Sequence, residues 1–132
     1  MTDNSTTAAG AAPDAAGLRA AQTTVDRWIR SYGVRYFDAL TNMAVLTEEV
    51  GEVARVIART DGEQSAKGGE RLDLADELAD VVWVVCAIAN QHGIDLGDAW
   101  LNNIAKKNVR DKERHRANSR LAPDNTTDNQ TL

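Results

Sequence analysis

The chain has 132 residues, enough for one domain with one hydrophobic core. The hydrophobic fraction of 42% and the charged fraction of 27% are those of a globular protein, and the net charge of -5 argues against a dedicated nucleic-acid-binding protein. The longest apolar run, residues 81–89, is too short to span a bilayer, and no secretion signal is recognisable. We therefore expect a cytoplasmic protein that binds neither a membrane nor a nucleic acid polymer.

Charge is distributed unevenly along the chain. Residues 106–120 hold seven Lys or Arg and two acids, whereas the rest of the chain holds 8 basic and 18 acidic residues. An acidic body with one basic segment suits a site that binds metal and phosphate together, but it also suits a solvated helix. The charge pattern alone therefore does not decide between these two interpretations.

The composition also indicates the domain boundaries. Residues 1–17 and 122–132 lack a pattern of large apolar residues and are predicted to be disordered tails. The folded domain is predicted to cover residues 18–121. Cys86, the only cysteine, excludes an intrachain disulfide and is expected to pack in the core.

Four helices are predicted within this domain, and they indicate an all-α, four-helix bundle-like fold. Few prolines and aromatics but many Ala and Leu favour helices over strands. Apolar periodicity and stop signals such as Gly33 and Gly93 give the ranges 18–32, 37–60, 72–91 and 96–118. Asp95 is expected to cap the last helix. A strand is the competing interpretation of residues 81–86, but the preceding carboxylate-rich helical pattern makes it less favoured.

The apolar faces of the second and third helices predict how they pack. In the second helix a 3-3-4-3-4 spacing defines a core stripe of Leu40, Met43, Leu46, Val50, Val53 and Ile57. The third helix is apolar all round between residues 81 and 89, so it needs cover on every side. In so short a chain we expect a second subunit to supply part of that cover, which predicts a homo-oligomer, at least a dimer.

Acidic residues cluster at the borders of these apolar stripes. Glu48, Glu49 and Glu52 share one side of the second helix, and Glu77 and Asp80 lie at i and i+3 on the third. No Lys or Arg lies at i+4 to Glu49, Glu77 or Asp80, so divalent cations would relieve the repulsion. Oxygen ligands without Cys or His favour Mg²⁺ or Mn²⁺ over Zn²⁺. Ordinary solvated helix acids are the alternative.

The spacing of these acids carries a family resemblance. Glu48-Glu49-Val-Gly-Glu52, followed after 24 residues by Glu77-Leu-Ala-Asp80, resembles the EExxE…ExxD signature of the MazG-like all-α nucleoside triphosphate pyrophosphohydrolases, which include dUTPase-like and dCTPase-like enzymes. The resemblance extends over about residues 28–114. It implies a Mg²⁺-dependent, oligomeric helical enzyme that cleaves nucleoside triphosphates to the monophosphate and pyrophosphate.

The resemblance also implies roles for individual residues. The metal ligands are Glu49, Glu52, Glu77 and Asp80, and the catalytic pair is Glu48 and Glu49, with Glu48 holding a second metal or orienting the attacking water. The implied phosphate-binding residues on the following helix are Asn103, Lys106, Lys107, Asn108 and Arg110.

Further substrate contacts are weaker candidates. An inward stripe of Leu96, Trp100, Asn103, Lys107 and Arg110 is expected if the fourth helix is straight. Trp28, with Tyr36 or Phe37, is a candidate for stacking on the base, although plain core packing is the commoner role of aromatics. Lys67 in the Gly-rich loop is a candidate phosphate ligand, with a solvated lysine as the alternative.

Two other classes of helical protein compete with the enzyme. A di-iron carboxylate bundle requires Glu-x-x-His on two helices, and no Glu here has a His three residues later. A non-catalytic helical dimerisation module explains the apolar third helix and the basic segment. It does not explain paired carboxylates on two helices, and it stays the alternative function.

Overall fold

The computed structural model describes residues 12–121, and that part of the chain is helical without any strand. The helices are α1 (Ala16–Ser31), α2 (Ala39–Thr60), α3 (Leu74–Gln91), α4 (Leu96–Arg110) and α5 (Lys112–Arg116), followed by a 3₁₀ turn (Ser119–Leu121). The all-α prediction is confirmed. The predicted tails lie largely in residues 1–11 and 122–132, outside the described residues.

The helix boundaries agree with the sequence signals except in the fourth helix. The first three helices begin and end within two residues of their predicted bounds. The predicted continuous helix 96–118 is wrong, because α4 ends at Arg110 and α5 begins at Lys112. Asp111 between them has φ -105° and ψ -24°, away from ideal helical geometry, and Asp is a poor residue for a helix interior.

Aspartates are the N-cap residues of three helices, α2, α3 and α4. Each one accepts a hydrogen bond from the backbone N–H three residues later, which satisfies an amide that has no partner within the helix. The pairs are Asp38 with Thr41 at 2.8 Å, Asp73 with Asp76 at 3.1 Å and Asp95 with Asp98 at 3.0 Å. The predicted capping role of Asp95 is thereby confirmed.

α3 lies at the centre of the described chain. It packs against α2 on one side and α1 on the other, and α4 packs against α1. The core between α1 and α3 contains Val25, Ile29, Cys86 and Ala87, which confirms the buried position of the only cysteine. None of the described helices is long and apolar enough to cross a membrane.

The structure corrects the predicted core stripe of α2. Leu46 and Val53 are half-buried, but the other four predicted core positions are exposed: Leu40, Met43, Val50 and Ile57. The face turned towards the interior instead carries Asn42, Val45, Glu49 and Val56. Both faces contain apolar residues at helical spacing, so periodicity could not tell which of them α3 covers.

One buried glutamine fixes the turn between α3 and α4. Gln22 of α1 donates to Asn90 Oδ1 at 3.0 Å and to the Ile94 carbonyl at 2.7 Å, and its Oε1 accepts from the Leu96 amide at 2.8 Å. Gly93 in this turn has φ 65°, a conformation that glycine adopts at little cost. The Gln22 side chain therefore satisfies backbone groups that the turn leaves without helical partners.

We expect Gln22→Leu to lower the free energy of unfolding by about 1–3 kcal/mol, because it leaves buried backbone groups without hydrogen bonds. Chemical denaturation measures this change. Thr23→Ala is the matched control, since exposed Thr23 bonds only to its own helix. Equal stabilities of the two variants would contradict the role given to Gln22.

Candidate metal centre

The antiparallel pairing of α2 and α3 determines which acids meet. At one end Asn42 Nδ2 donates to Gln91 Oε1 at 3.0 Å, and at the other end Arg59 forms an ion pair with Glu70 just before α3. Between these two contacts runs the α2–α3 seam, the line along which the two helices touch. Because the helices run in opposite directions, the acids of α2 meet the acids of α3 near the middle of the seam.

Three carboxylates come together at this point. Glu49, Glu77 and Asp80 each offer an oxygen, and these oxygens all lie within 4.8 Å of one another. Glu49 and Glu77 are half-buried, whereas Asp80 is exposed. Oxygen ligands about 2.0–2.6 Å from a single cation can have this mutual spacing, so the group fits Mg²⁺, Mn²⁺ or Ca²⁺.

Electrostatics at Glu49 indicate an uncompensated site. Burial raises the pKa of the Glu49 carboxyl above its usual range, and the negative charges of Asp80, Glu48, Glu77 and Glu52 raise that pKa further. A carboxylate that is destabilised in this way gains from a nearby cation. The site therefore has both the spacing and the charge that a divalent ion requires.

Glu52 lies outside this three-residue group, and Arg55 pairs with both Glu52 and Glu77. Arg55 Nε donates to Glu52 Oε2 at 2.5 Å, and Arg55 Nη2 donates to Glu77 Oε1 at 3.3 Å. The expectation that these acids lack basic partners is therefore wrong for Glu52 and Glu77. An i, i+4 spacing relates residues of a single helix, whereas Arg55 is at i+3 to Glu52 and reaches Glu77 on another helix.

Arg59 and Glu70 complete this basic end of the seam, and the sequence analysis missed both. Glu70 forms ion pairs with Arg55 and with Arg59, and its Oε2 accepts from the Lys67 backbone N–H at 3.1 Å. The Arg59 Nε has no hydrogen-bond partner within residues 12–121. Glu70 thus holds the loop between α2 and α3 against α2. Its only sequence signal is an acid in a loop that also contains a lysine.

The candidate phosphate-binding residues lie elsewhere in the described chain. The side chains of Asn103, Lys106, Lys107, Asn108 and Arg110 are exposed on α4, and Lys67 is exposed in its loop. The inward face of α4 consists of Leu96, Gly97, Leu101 and Ile104, so the predicted inward stripe through Trp100, Lys107 and Arg110 is wrong. α4 packs against α1 rather than lying along the seam.

Trp28 lies near the opposite end of the seam from Arg59. Its ring meets Trp83 of α3 edge to face, with centroids 5.3 Å apart and an interplanar angle of 85°. Trp28 is nevertheless 48% exposed, so it is not a core residue of the chain. The exposed part of its ring is available to a ligand.

We expect Glu49→Gln to raise the melting temperature of the metal-free protein, because it removes one charge from a group of mutually repelling carboxylates. Differential scanning calorimetry in the presence of a chelator measures this. Glu63→Gln is the matched control, since it removes the same charge from an exposed loop position. A lower melting temperature for Glu49→Gln than for Glu63→Gln would contradict the repulsion.

Comparisons with known proteins show the family to which this chain belongs. The family model of the MazG nucleotide pyrophosphohydrolase domain matches residues 37–115, which is more than half of the chain and includes both carboxylate helices. The uncharacterised protein YpjD of Bacillus subtilis (strain 168) is 39% identical over 94 residues, covering 70% of this chain and 85% of YpjD. YvdC from the same organism is 24% identical over 84 residues, covering 55% of this chain and 79% of YvdC.

Two solved structures resemble this fold. The crystal structure of Bacillus subtilis YpjD, described as a proposed pyrophosphatase, has a TM-score of 0.64 and 36% identity, covering 71% of this chain and 95% of that one. A Bacillus-conserved MazG protein, described as a nucleotide pyrophosphohydrolase, has a TM-score of 0.58 and 38% identity, covering 74% and 95%. The comparisons favour an enzyme over a non-catalytic dimerisation module. The chain belongs to the MazG nucleotide pyrophosphohydrolase family and is a hydrolase.

Proposed function

We propose that this hydrolase cleaves nucleoside triphosphates, whether canonical, deoxy or aberrant, to nucleoside monophosphate and pyrophosphate. Mg²⁺ is the proposed cofactor and Mn²⁺ a substitute, and the proposed role is housekeeping of the nucleotide pool. The observation that carries this proposal is the convergence of Glu49, Glu77 and Asp80 on one point of the α2–α3 seam in a member of this family.

The proposed metal ligands are Glu49, Glu77 and Asp80, with Glu52 as a fourth. Arg55 engages Oε2 of Glu52 and Oε1 of Glu77, which leaves the other oxygen of each carboxylate for the ion. A divalent cation held there would neutralise phosphate charge and lower the pKa of a bound water. Glu48 and Glu49 are the proposed catalytic residues, and exposed Glu48 would hold a second ion or orient the water that attacks the α-phosphorus.

We expect Glu77→Gln and Asp80→Asn to abolish Mg²⁺-dependent pyrophosphate release while leaving the helical circular dichroism spectrum intact. Asp76→Asn, an exposed change on the same helix, is the control and should retain activity. In ¹⁸O-labelled water the label should appear in the monophosphate. Full activity in Asp80→Asn would refute the metal site, and label in the pyrophosphate would refute attack at the α-phosphorus.

We propose that the triphosphate is bound by the basic end of α4 and by Lys67 in the loop between α2 and α3. The residues on α4 are Asn103, Lys106, Lys107, Asn108 and Arg110. Their exposed side chains support this role, because no described packing contact occupies them. Since α4 packs against α1, this proposal requires the basic end of α4 to contact the triphosphate from a helix outside the α2–α3 pair.

We expect Lys107→Ala or Arg110→Ala to raise KM for a triphosphate by about ten- to hundredfold, the loss of one charge-assisted contact. Steady-state kinetics of pyrophosphate release measure this change. Lys112→Ala, in the next helix, is a matched basic control with an expected smaller effect. Unchanged KM in both α4 variants would remove α4 from the substrate site.

A homodimer or homotetramer is the proposed assembly. Leu40, Met43, Thr47, Val50, Ala54 and Ile57 are all exposed on α2 and follow a 3-4-3-4-3 spacing, the pattern of a helix seam. Leu78, Val82 and Val85 extend the apolar surface onto α3. An exposed patch of this kind marks a contact with another protein, and a second copy supplies an equally apolar partner face.

We expect Leu40→Glu to shift the protein towards monomer, because it places a charge in the proposed interface. Val109→Glu is the matched control, since Val109 is 82% exposed and Leu40 is 83% exposed, but Val109 lies on α4 outside the apolar surface. Sedimentation at micromolar concentration measures both variants. A monomeric wild-type protein would refute the proposal outright.

A further inference from the structure

A cavity of about 130 Å³ lies at the end of the α2–α3 seam opposite Arg59. Its walls come from the end of α1, the link that follows it, and the facing sides of α2 and α3. Val45 and Val84 line it, and each lies one helical turn from a carboxylate: Val45 from Glu49 on α2, and Val84 from Asp80 on α3. One α-helical turn advances about 5.4 Å, so the cavity adjoins the candidate metal centre.

Aromatic side chains give this cavity flat apolar walls. Trp28, Tyr36, Phe37 and Trp83 all line it, and Trp83 supports Trp28 edge to face. Trp28 and Phe37 are 48% and 57% exposed, although both are large and apolar. Such surfaces suit stacking against a planar ring. An enclosed apolar cavity of roughly 150 Å³ is known to hold a benzene molecule. The cavity here is slightly smaller but open to solvent on one side, and Arg35 also lines it, so its size is comparable to that of a single six-membered ring.

Asn42 supplies one oriented polar atom among these apolar walls. Gln91 Nε2 donates to the Phe37 carbonyl, which leaves Gln91 Oε1 to accept from Asn42 Nδ2 at 3.0 Å. This chain of bonds fixes both amide orientations, because a carbonyl accepts only from the NH₂ end of an amide. Asn42 is 5% exposed, and its Oδ1 accepts no hydrogen bond from the described residues. Because Asn42 lines the cavity, its Oδ1 can accept a hydrogen bond from a ligand that enters there.

We propose that this cavity binds the base of the nucleoside triphosphate, with its six-membered ring against Trp28 and an edge N–H donating to Asn42 Oδ1. The inference rests on the proposed function and assigns the base-binding part of the same site. The sugar and phosphates then extend along the seam towards Glu49 and Asp80. An amino or imino N–H is therefore a recognised feature of the substrate.

Matched nucleotides with and without that N–H test the inference. ATP is compared with purine riboside triphosphate, and CTP with the triphosphate of 2-pyrimidinone riboside, since both analogues lack every base N–H. We expect the wild-type protein to prefer ATP and CTP by about ten- to hundredfold in kcat/KM, the loss of one hydrogen bond between the base and the cavity. Equal kcat/KM within each pair would overturn the inference, and this comparison needs no variant to fold.

Asn42→Leu isolates the acceptor. The variant should process each natural nucleotide and its analogue within about threefold of each other, while Asn102→Leu, an exposed change on α4, should keep the wild-type preference. If folded Asn42→Leu keeps the wild-type preference for a base N–H, another residue recognises that group, and the role given to Asn42 is wrong. Pyrophosphate release without any base preference would overturn only the cavity assignment, whereas no release from any nucleotide would overturn the proposed function itself.

Discussion

Repulsion between carboxylates across the α2–α3 seam is the constraint around which the described structure is arranged. The antiparallel pairing brings Glu49 and Glu52 of one helix against Glu77 and Asp80 of the other, where a core would normally place apolar contacts. Burial and neighbouring charge together raise the pKa of Glu49, so its charged form is disfavoured without a cation. In the proposed function, a divalent ion bound between these carboxylates would relieve this repulsion.

The seam consists of three consecutive layers. At one end Arg55, Arg59 and Glu70 form an ion-paired group that neutralises Glu52, orients one oxygen of Glu77 and attaches the α2–α3 loop. In the middle layer, Glu49 and Asp80 form no ion pair with the described residues, whereas Glu77 is paired with Arg55. At the other end of the seam lies the cavity lined by aromatic side chains. This order, from ion pairs through acids to aromatic walls, matches a ligand that is anionic at one end and planar at the other.

The sequence was sufficient for the first three helices and for three of the four acids that were expected to meet, because capping residues and i, i+3 spacing are local signals. Glu49, Glu77 and Asp80 could be grouped from their spacing and their place on two amphipathic helices. Arg55 could not be placed, since its contact with Glu77 joins two helices and depends on their register. Periodicity also could not predict which face of α2 is covered by α3, because Val50 and Val56 lie on different faces and each fits an apolar stripe.

The fourth helix shows a different limit. Its apolar and basic residues fit a straight inward stripe in the sequence, but helix packing selected Leu101 and Ile104 as the face against α1. A shift of one residue rotates a helix by about 100°, so a choice between neighbouring stripes decides which side chains face inward. The face of α4 that is buried depends on how the helix packs against other helices, and this packing cannot be predicted from the spacing of residues within α4 alone.

Binding of Mn²⁺, followed by electron paramagnetic resonance of the free ion, tests the central claim most directly because it needs neither substrate nor turnover. The wild-type protein is expected to deplete the free-ion signal, and Asp80→Asn, still fully helical, is expected to bind at least about tenfold more weakly, the loss of one charged ligand. Equal Mn²⁺ affinity in the wild-type protein and folded Asp80→Asn would contradict the claim that the seam carboxylates hold the ion.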